Sequence, residues 1–268
     1  MNPITLTAPA KVNLTLHITG KRADGYHELD SLIAFTDCGD RLTLTPSDSF
    51  SIVLTGPFAQ KIDPTDNSVI AAAGLWTRIT GRSVPYAVTL EKNLPVAAGI
   101  GGGSMDAAVF LNFLNQDADI PLLPHALELG AEMPVCLYGK AAHVRGIGED
   151  VRPATLPPTS ILLINPLQPC PTGQVFQNLA GFPMHEGVNH LLQAAIAVVP
   201  KISDILTDLK NLTGVTKVGM SGSGATCYAL FETNDARDKA CTYLKQKRPH
   251  DWVMTGTLSP GAQGQEKG

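Results

Sequence analysis

Apolar and polar residues alternate strictly in the first predicted element of the chain, between Ala10 and Ile18. A period of two is typical of a β-strand with one buried face. The side chains on the apolar face are Val12, Leu14, Leu16 and Ile18, and those on the polar face are Lys11, Asn13, Thr15 and His17. A lysine on such a face is either solvated or lies in a cleft.

Apolar periodicity and turn residues predict the remaining elements. We expect helices at 67–80, 105–115, 122–129, 190–198, 202–212 and 234–246. We expect further strands at 41–45, 50–54, 86–91, 161–164, 226–231 and 252–257, and a turn-rich loop at 20–27. Because these elements follow no strict βαβ order, they favour an α+β fold. The proline-rich stretch 152–158 suggests two domains, at residues 1–152 and 153–268.

The composition narrows the class of protein. Of the 268 residues, 44% are hydrophobic and only 16% are charged, which excludes a disordered chain. The formal net charge is −4, so we expect neither nucleic acid nor an anionic membrane as a partner. No apolar stretch approaches the ~20 residues that span a bilayer. The N-terminus lacks the pattern of a signal peptide, and we therefore expect a cytoplasmic protein.

Five cysteines are scattered along the sequence without a Cys-x-x-Cys motif. They are Cys38, Cys136, Cys170, Cys227 and Cys241. We expect reduced, buried thiols rather than a disulfide frame or a zinc site, which agrees with a reducing compartment.

The strongest chemical signal is a glycine-rich loop that leads from a predicted strand into a predicted helix. Its residues are Pro95, Val96, Ala97, Ala98, Gly99, Ile100, Gly101, Gly102, Gly103 and Ser104. Glycines allow the backbone to approach a phosphate closely, and the N-terminus of the following helix offers free N–H groups and a positive dipole end. The loop is neither a Walker A motif nor a dinucleotide fingerprint. We interpret it as a nucleotide-phosphate site. Asp106 falls in the predicted first helical turn, either as a cap or beside a metal ion.

A second glycine-rich loop extends from residue 219 to residue 226. It contains Ser221, Gly222, Ser223 and Gly224. Such a loop alone is equally typical of a tight turn between two elements. Two in one chain are better explained by one polyphosphate that is held from two sides.

Three stretches together resemble the motifs of the GHMP kinases. They are residues 9–14 (Pro-Ala-Lys-Val-Asn-Leu), the segment 95–108, and the second glycine-rich loop. Within that superfamily, residues 20–29 and the triple glycine at 101–103 are similar to the diphosphocytidyl-methylerythritol kinases. The resemblance covers nearly the whole chain. It implies an N-terminal ribosomal-protein-like domain that carries ATP, a ferredoxin-like C-terminal domain, and a substrate site between them.

The resemblance also implies a role for individual residues. The loop from Gly99 to Ser104 would hold the ATP phosphates. Positions that border the adenosine are matched by Asn67, Val69 and Lys92. The substrate would be CDP-methylerythritol, with its cytosine between the rings of Tyr26 and Phe176 and its base edge read by His27. The polar groups of the substrate would be contacted by Asn13 and Thr172.

The implied reaction transfers the γ-phosphoryl group of ATP to the 2-hydroxyl of the erythritol moiety. Lys11 would steady the transferred group and Glu132 would receive the hydroxyl proton. Mg²⁺ would accompany ATP, although no motif fixes its ligands. Glu132 stands where the family has aspartate, within Gly-Ala-Glu-Met-Pro at 130–134, and Met105 follows Ser104 where the family has serine or alanine.

Other readings remain open. One is another kinase of the superfamily, of the homoserine or mevalonate type, and another is a nucleotide-binding relative without catalysis because of Glu132. The chain could be a monomer or a homodimer.

Overall fold

The computed structural model describes residues 2–179 and 187–259. Its strands are β1 (Ile4–Asn13), β2 (His17–Lys21), β3 (His27–Pro46), β4 (Ser51–Thr55), β5 (Tyr86–Glu91), β6 (Ala142–Gly146), β7 (Asp150–Pro153), β8 (Thr159–Asn165), β9 (Val215–Met220), β10 (Cys227–Phe231) and β11 (Trp252–Ser259). Its α-helices are α1 (Ser68–Thr80), α2 (Gly102–Leu114), α3 (Leu123–Leu129), α4 (Met133–Tyr138), α5 (Thr172–Leu179), α6 (Leu192–Val198), α7 (Lys201–Lys210) and α8 (Asn234–Lys247). A 3₁₀ turn covers Ala59–Lys61. The predicted α+β class is confirmed.

One sheet runs through the molecule, and the 20-residue strand β3 lies at its centre. The order along the sheet is β4-β5-β3-β11-β8-β10-β9. β1, β2 and β6 also pair with β3, and β7 pairs with β6. The last strand, β11, connects the two parts of the sheet. Its Leu258 pairs with Thr36 of β3, and nearly its whole length pairs with β8. The division at 152/153 stays a prediction.

Three groups of buried apolar side chains fill the space around the sheet. One is formed by the sheet with α1 to α4, and a second by the sheet with α5 to α8. The third lies between them and joins β1 to β8 and β10 through side chains such as Val12, Leu163 and Tyr228. Ala98 and Ile100 of the first glycine-rich loop belong to this third group. The loop therefore rests on the surface where the two larger cores meet.

The predicted single strand at 10–18 is wrong. The strand begins earlier, at Ile4, and ends at Asn13, because the backbone turns at Leu14 and Thr15, whose N–H groups both donate to the Leu32 carbonyl. A new strand, β2, starts at His17. The polar face also differs from a solvated one, since Lys11 and Asn13 are both buried.

Most other predicted elements agree with the structure within a few residues. The predicted strand at 41–45 is only the last part of β3, and the predicted loop at 20–27 reduces to a turn between β2 and β3, closed by the Arg22 N–H bond to the Tyr26 carbonyl. The helix predicted at 105 begins at Gly102, so Asp106 lies beyond the first turn and does not cap it. Within the described residues, no helix is long and apolar enough to cross a membrane.

Candidate active site

A cavity of about 930 Å³ opens where the two larger cores meet. That volume is typical of a site for small molecules. Segments that are far apart in the sequence form its walls: the start of β3, the start of α1, the first glycine-rich loop, Glu132, the start of α5 and the second glycine-rich loop. Most of the predicted site residues line it. The predicted residues that lie outside the lining are Lys11, Asn13, Ile100, Ser221 and Gly224.

The first glycine-rich loop ends in an open helix N-terminus. Gly101 is the N-cap of α2 and adopts the left-handed conformation, with φ of 65°. No side chain caps the helix there, so its first N–H groups remain available to an anion. The loop is fixed to β1 by the backbone N–H of Lys11, which donates to the Ile100 carbonyl at 2.9 Å. The geometry is that of a phosphate-binding loop on a rigid strand.

Lys11 and Glu132 form an ion pair at the base of this loop. The Lys11 side chain is 1% exposed, whereas that of Glu132 is 43% exposed. The Lys11 ammonium donates to a carboxylate oxygen of Glu132 and to Asn13 Oδ1 at 2.9 Å, and the Asn13 amide in turn donates to Ser31 Oγ at 2.8 Å. The lysine is therefore held in one position from behind, while the carboxylate reaches the cavity. A methyl group at Gly101 would lie 3.2 Å from Lys11 Cβ and 3.3 Å from Glu132 Oε2.

A second charged cluster, formed by Asp40, Lys92 and Asp106, is buried on the other side of the loop. The Lys92 ammonium donates to Asp40 and, at 2.5 Å, to Asp106 Oδ2. Burial lowers the pKa of Lys92, but the charges of Asp106 and Asp40 outweigh it and hold that pKa above its usual value. Sequence reasoning missed Asp40, because its partner lies 52 residues away and is reached only through the pairing of β3 with β5.

The residues predicted to border adenosine lie on one wall of the cavity. Asn67 caps α1, since its side-chain oxygen accepts from the N–H groups of Val69 and Ile70 at 3.1 and 3.2 Å. Val69 packs in the core between the sheet and helices α1 to α4, and Lys92 belongs to the buried charged cluster. All three line the cavity next to the phosphate loop. Their roles toward a nucleotide stay predictions.

Three rings, those of Tyr26, His27 and Phe176, form a separate aromatic part of the cavity wall. The imidazole of His27 stacks on the ring of Phe176, with 4.9 Å between centroids and 24° between planes. Tyr26 lies beside them and is 58% exposed. Burial and the charge of Lys21 lower the pKa of His27, so the stacked imidazole is neutral at pH 7. The Thr172 hydroxyl lies 2.9 Å from the Ser223 hydroxyl at the edge of this group.

The second glycine-rich loop packs directly against the first. Ser221 Oγ donates to the Gly99 carbonyl at 2.8 Å and accepts from the Asn13 N–H at 3.0 Å. Thr226 Oγ1 donates to the Ala98 carbonyl at 2.7 Å. Gly222 and Ser223 also line the cavity, whereas Ser221 and Gly224 lie behind its wall. Much of this loop therefore contacts protein rather than the cavity.

No group of three or more His, Cys, Asp or Glu side chains among residues 2–179 and 187–259 is arranged to hold a metal ion. The five cysteines are all free, and three of them are buried, whereas Cys38 and Cys241 are only partly buried. That the thiols are reduced in the cell stays a prediction.

Two family profiles match the chain. The N-terminal domain of the GHMP kinases matches residues 67–149, and the C-terminal domain of the GHMP kinases matches residues 177–250. Together they cover the phosphate loop, the segment with Glu132 and the helices of the C-terminal part.

Individual relatives agree with the profiles. A 4-diphosphocytidyl-2-C-methyl-D-erythritol kinase of Rhodopseudomonas palustris (strain BisB5) is 40% identical over 97% of this chain and 100% of the relative. A crystal structure of 4-(cytidine 5'-diphospho)-2C-methyl-D-erythritol kinase is 33% identical, with a TM-score of 0.81 over 96% of this chain and 100% of that one. The homoserine kinase of Cytophaga hutchinsonii is 18% identical, with a TM-score of 0.70 over 98% of this chain and 96% of that one, and shares the fold alone.

Proposed function

The chain belongs to the GHMP kinases and, within them, to the 4-diphosphocytidyl-2-C-methyl-D-erythritol kinases, and from this premise we propose how its cavity carries out the transfer. It is an ATP-dependent kinase of non-mevalonate isoprenoid synthesis, and its acceptor is a hydroxyl group of the cytidylated methylerythritol rather than that of homoserine or mevalonate. The proposal concerns the residues that hold the two substrates and the atoms that react.

ATP binds with its phosphates over the N-terminus of α2. The free N–H groups after Gly101 and the helix dipole support this position, because both favour an anion. The adenosine lies toward Asn67, Val69 and Lys92, which line the adjoining wall. The γ-phosphoryl group then lies near Gly101, next to the ion pair of Lys11 and Glu132.

In the transfer, the 2-hydroxyl oxygen of the substrate attacks the γ-phosphorus, the bond from that phosphorus to the bridging oxygen breaks, and ADP leaves. The hydroxyl proton passes to Glu132. The buried Lys11 supports the transfer, since its positive charge lies beside Glu132 and stabilises the charge on the transferred group. Kinases of this kind depend mainly on positioning and charge stabilisation.

Glu132 is one methylene longer than aspartate, and its reach suits the position of its partner. Its carboxylate contacts the ammonium of Lys11, which Asn13 holds at 2.9 Å from behind. The ion pair with Lys11 therefore forms with glutamate at position 132, which supports catalysis by this chain rather than nucleotide binding alone.

The cytosine of the substrate binds at the aromatic part of the cavity wall, between the rings of Tyr26 and Phe176. A pyrimidine between two rings gains on the order of a kcal/mol of stacking energy per face. His27 stacks on Phe176, so a base that stacks on Phe176 takes the place of this imidazole, which then reads the edge of the base. Thr172 lines the cavity and binds a polar group of the substrate. Asn13 lies behind the wall, with its side chain bonded to Lys11 and Ser31, and acts on the substrate only by holding Lys11 in place.

Mg²⁺ would accompany ATP, held mainly by phosphate oxygens and water, as is usual for this ion in kinases. The chemistry it would supply there is neutralisation of the phosphates, and no ligand for it is assigned among the protein side chains. The free cysteines and the absence of a basic excess support a cytoplasmic enzyme without a nucleic-acid partner, either a monomer or a homodimer.

The observation that carries the proposal is the ion pair of buried Lys11 with cavity-facing Glu132 beneath the phosphate loop. The test is ADP release with ATP and the cytidylated substrate. Glu132→Gln is expected to lower kcat by roughly 10² to 10⁴, the usual contribution of a general base, with both KM values little changed. Glu132→Asp is expected to be slower by up to ~10², because the shorter side chain withdraws from Lys11.

Glu128→Gln is the matched control, since it removes an exposed carboxylate that pairs with Arg78 on the surface. Its kcat should equal that of the parent. Near-full activity of Glu132→Gln, or ADP release that does not depend on the cytidylated substrate, would contradict the proposal.

A further inference from the structure

The cluster of Asp40, Lys92 and Asp106 brings three charges together out of contact with water. Asp40 comes from β3, Lys92 directly follows β5, and Asp106 comes from α2. Their side chains are at most 3% exposed. Two carboxylates thus share a single ammonium in a buried space. Keeping all three groups ionised there costs free energy, because they are removed from water.

The two carboxylates of this cluster differ in their hydrogen bonds. Asp40 is fully bonded, because its Oδ1 accepts from the N–H groups of Asn93 and Leu94 at 2.6 and 2.8 Å and its Oδ2 accepts from Lys92. Asp106 accepts from Lys92 at Oδ2, and its other polar neighbour is the carboxylate of Asp40, which has no proton to donate when ionised. Its Oδ1 is the one buried side-chain oxygen or nitrogen in the described ranges, 2–179 and 187–259, that has no hydrogen-bond partner. Asp106 is therefore the carboxylate that would most easily accept a proton.

The charges around Asp106 agree with this difference. Burial raises the pKa of Asp106 to about 7, and Asp40 adds to that rise, while the charge of Lys92 opposes it. Lys11 and Glu132 lie at the other side of the loop, against Gly101, and are paired with each other. Near neutral pH the carboxyl group of Asp106 therefore exists in both forms.

The cluster lies directly behind the phosphate loop. A methyl group placed on Gly102 would be 3.4 Å from Asp40 Oδ2 and 3.6 Å from Lys92 Nζ. Lys92 and Asp106 both line the cavity. A polyphosphate over Gly102 would bring several negative charges close to Asp106, and nearby negative charge favours the neutral form of a carboxyl group.

We propose that Asp106 takes up a proton from solvent when the polyphosphate of a nucleotide binds over the loop, so that nucleotide affinity and protonation of this carboxyl group are linked. The inference rests on the proposed position of the phosphates. Only an O–H bond on Asp106 forms, and Lys92 keeps its charge and its contact with Asp40. Asp106 acts as a positioning residue, because in its neutral form it no longer competes with the phosphates for the positive charge of Lys92.

The test is calorimetric titration of the intact protein with Mg²⁺ and a β,γ-methylene analogue of ATP, in two buffers that differ in protonation enthalpy. At pH 7 the parent should take up more protons than Asp106→Asn, by up to one proton, because only the parent carries a carboxyl group whose neutral form the bound phosphates favour. The proton uptake of the nucleotide itself is the same in both titrations and cancels in the difference between the two proteins. Between pH 7 and pH 8.5 the affinity of the parent should fall by up to about tenfold per pH unit relative to that of Asp106→Asn.

Asp117→Asn is the matched control, because it removes an exposed aspartate just beyond the far end of α2. It should take up as many protons as the parent. Equal uptake by the parent and by folded Asp106→Asn would overturn the inference while the proposed function stands. If Asp106→Asn does not fold, net uptake by the parent equal to that of the nucleotide alone overturns it equally. Absence of nucleotide binding would overturn both the inference and the proposed function.

Discussion

The two glycine-rich loops give similar signals in the sequence but use their glycines differently. In the first loop, the space that a side chain at Gly101 or Gly102 would fill borders the charged side chains beneath the cavity. In the second loop, a methyl group on Gly222 would lie 2.8 Å from the Gly99 carbonyl oxygen. Glycine in the first loop leaves room for a ligand and its charged partners, whereas glycine in the second allows two stretches of backbone to touch.

Gly99 is where the two uses meet. It belongs to the first loop, yet a methyl group there would lie 2.5 Å from the Ser221 carbonyl oxygen and 2.7 Å from that of Gly224. A glycine in a phosphate loop can thus be required by the protein's own packing. The comparison can be tested by separating effects on stability from effects on catalysis.

The largest effect is expected for Gly99→Ala. Its φ of 73° is unfavourable for alanine, and the methyl group would collide with backbone oxygens that cannot rotate away. The free energy of unfolding should fall by about 4 kcal/mol, as urea denaturation would measure.

Gly74→Ala is the control for this change, because nothing lies within 4 Å of the added methyl group in α1. It should be neutral or stabilising by up to about 1 kcal/mol. If Gly99→Ala were equally neutral, the contact between the loops would not exist in solution.

Gly101→Ala should have the opposite profile to Gly99→Ala, with a large loss of activity and a small loss of stability. The neighbours of its methyl group are side-chain atoms of Lys11 and Glu132 at 3.2 to 3.4 Å, which can shift but lose their alignment. We expect kcat/KM to fall by about 10²-fold, because displacements of this order at reacting groups have that effect.

Gly81→Ala controls for backbone strain, since Gly81 has a similar φ of 68° and no neighbour within 4 Å. Both variants should lose about 1–2 kcal/mol of stability from the left-handed conformation. Only Gly101→Ala should lose activity, and a kcat/KM within threefold of the parent would place the reaction elsewhere.

The smallest effect is expected for Ser221→Ala in the second loop. It removes the hydroxyl that bridges the partly buried Gly99 carbonyl and the buried Asn13 N–H. The unfolding free energy should fall by about 2 kcal/mol in urea denaturation, the usual cost of leaving buried polar groups unpaired. Ser203→Ala on the exposed face of α7 should change it by less than about 0.5 kcal/mol. Equal stability of the two variants would mean that the loops are held together by packing alone.

Local signals in the sequence were sufficient for part of this molecule. The helix predicted at 67–80 matches α1 because Asn67 is a strong N-cap and Gly81 a strong C-cap, and the strand predicted at 86–91 matches β5. Most of the predicted site residues line one cavity because the resemblance to the kinases rests on motifs whose order and spacing are specific.

Long-range contacts account for what the sequence did not predict. Burial of Lys11 depends on β1 being covered on both faces, and alternation along one strand cannot reveal that. The stacking of His27 on Phe176 joins segments that are 149 positions apart in the printed sequence. The short elements α4, β6 and β7 escaped prediction because they have four to six residues each, too few to establish a period.

The position of β11 has a consequence for biosynthesis. This strand lies between β3 and β8 in the sheet, although it is the last element described in the chain. While the chain is being synthesised, the edges of β3 and β8 that will receive β11 remain unpaired until residues 252–259 have been made. Completion of the sheet is thus a late event, and exposed strand edges attract other chains in the meantime. A nascent chain that stops before residue 252 would lack the strand that connects the two parts of the sheet. We expect such a chain to bind chaperones rather than to act as a smaller enzyme.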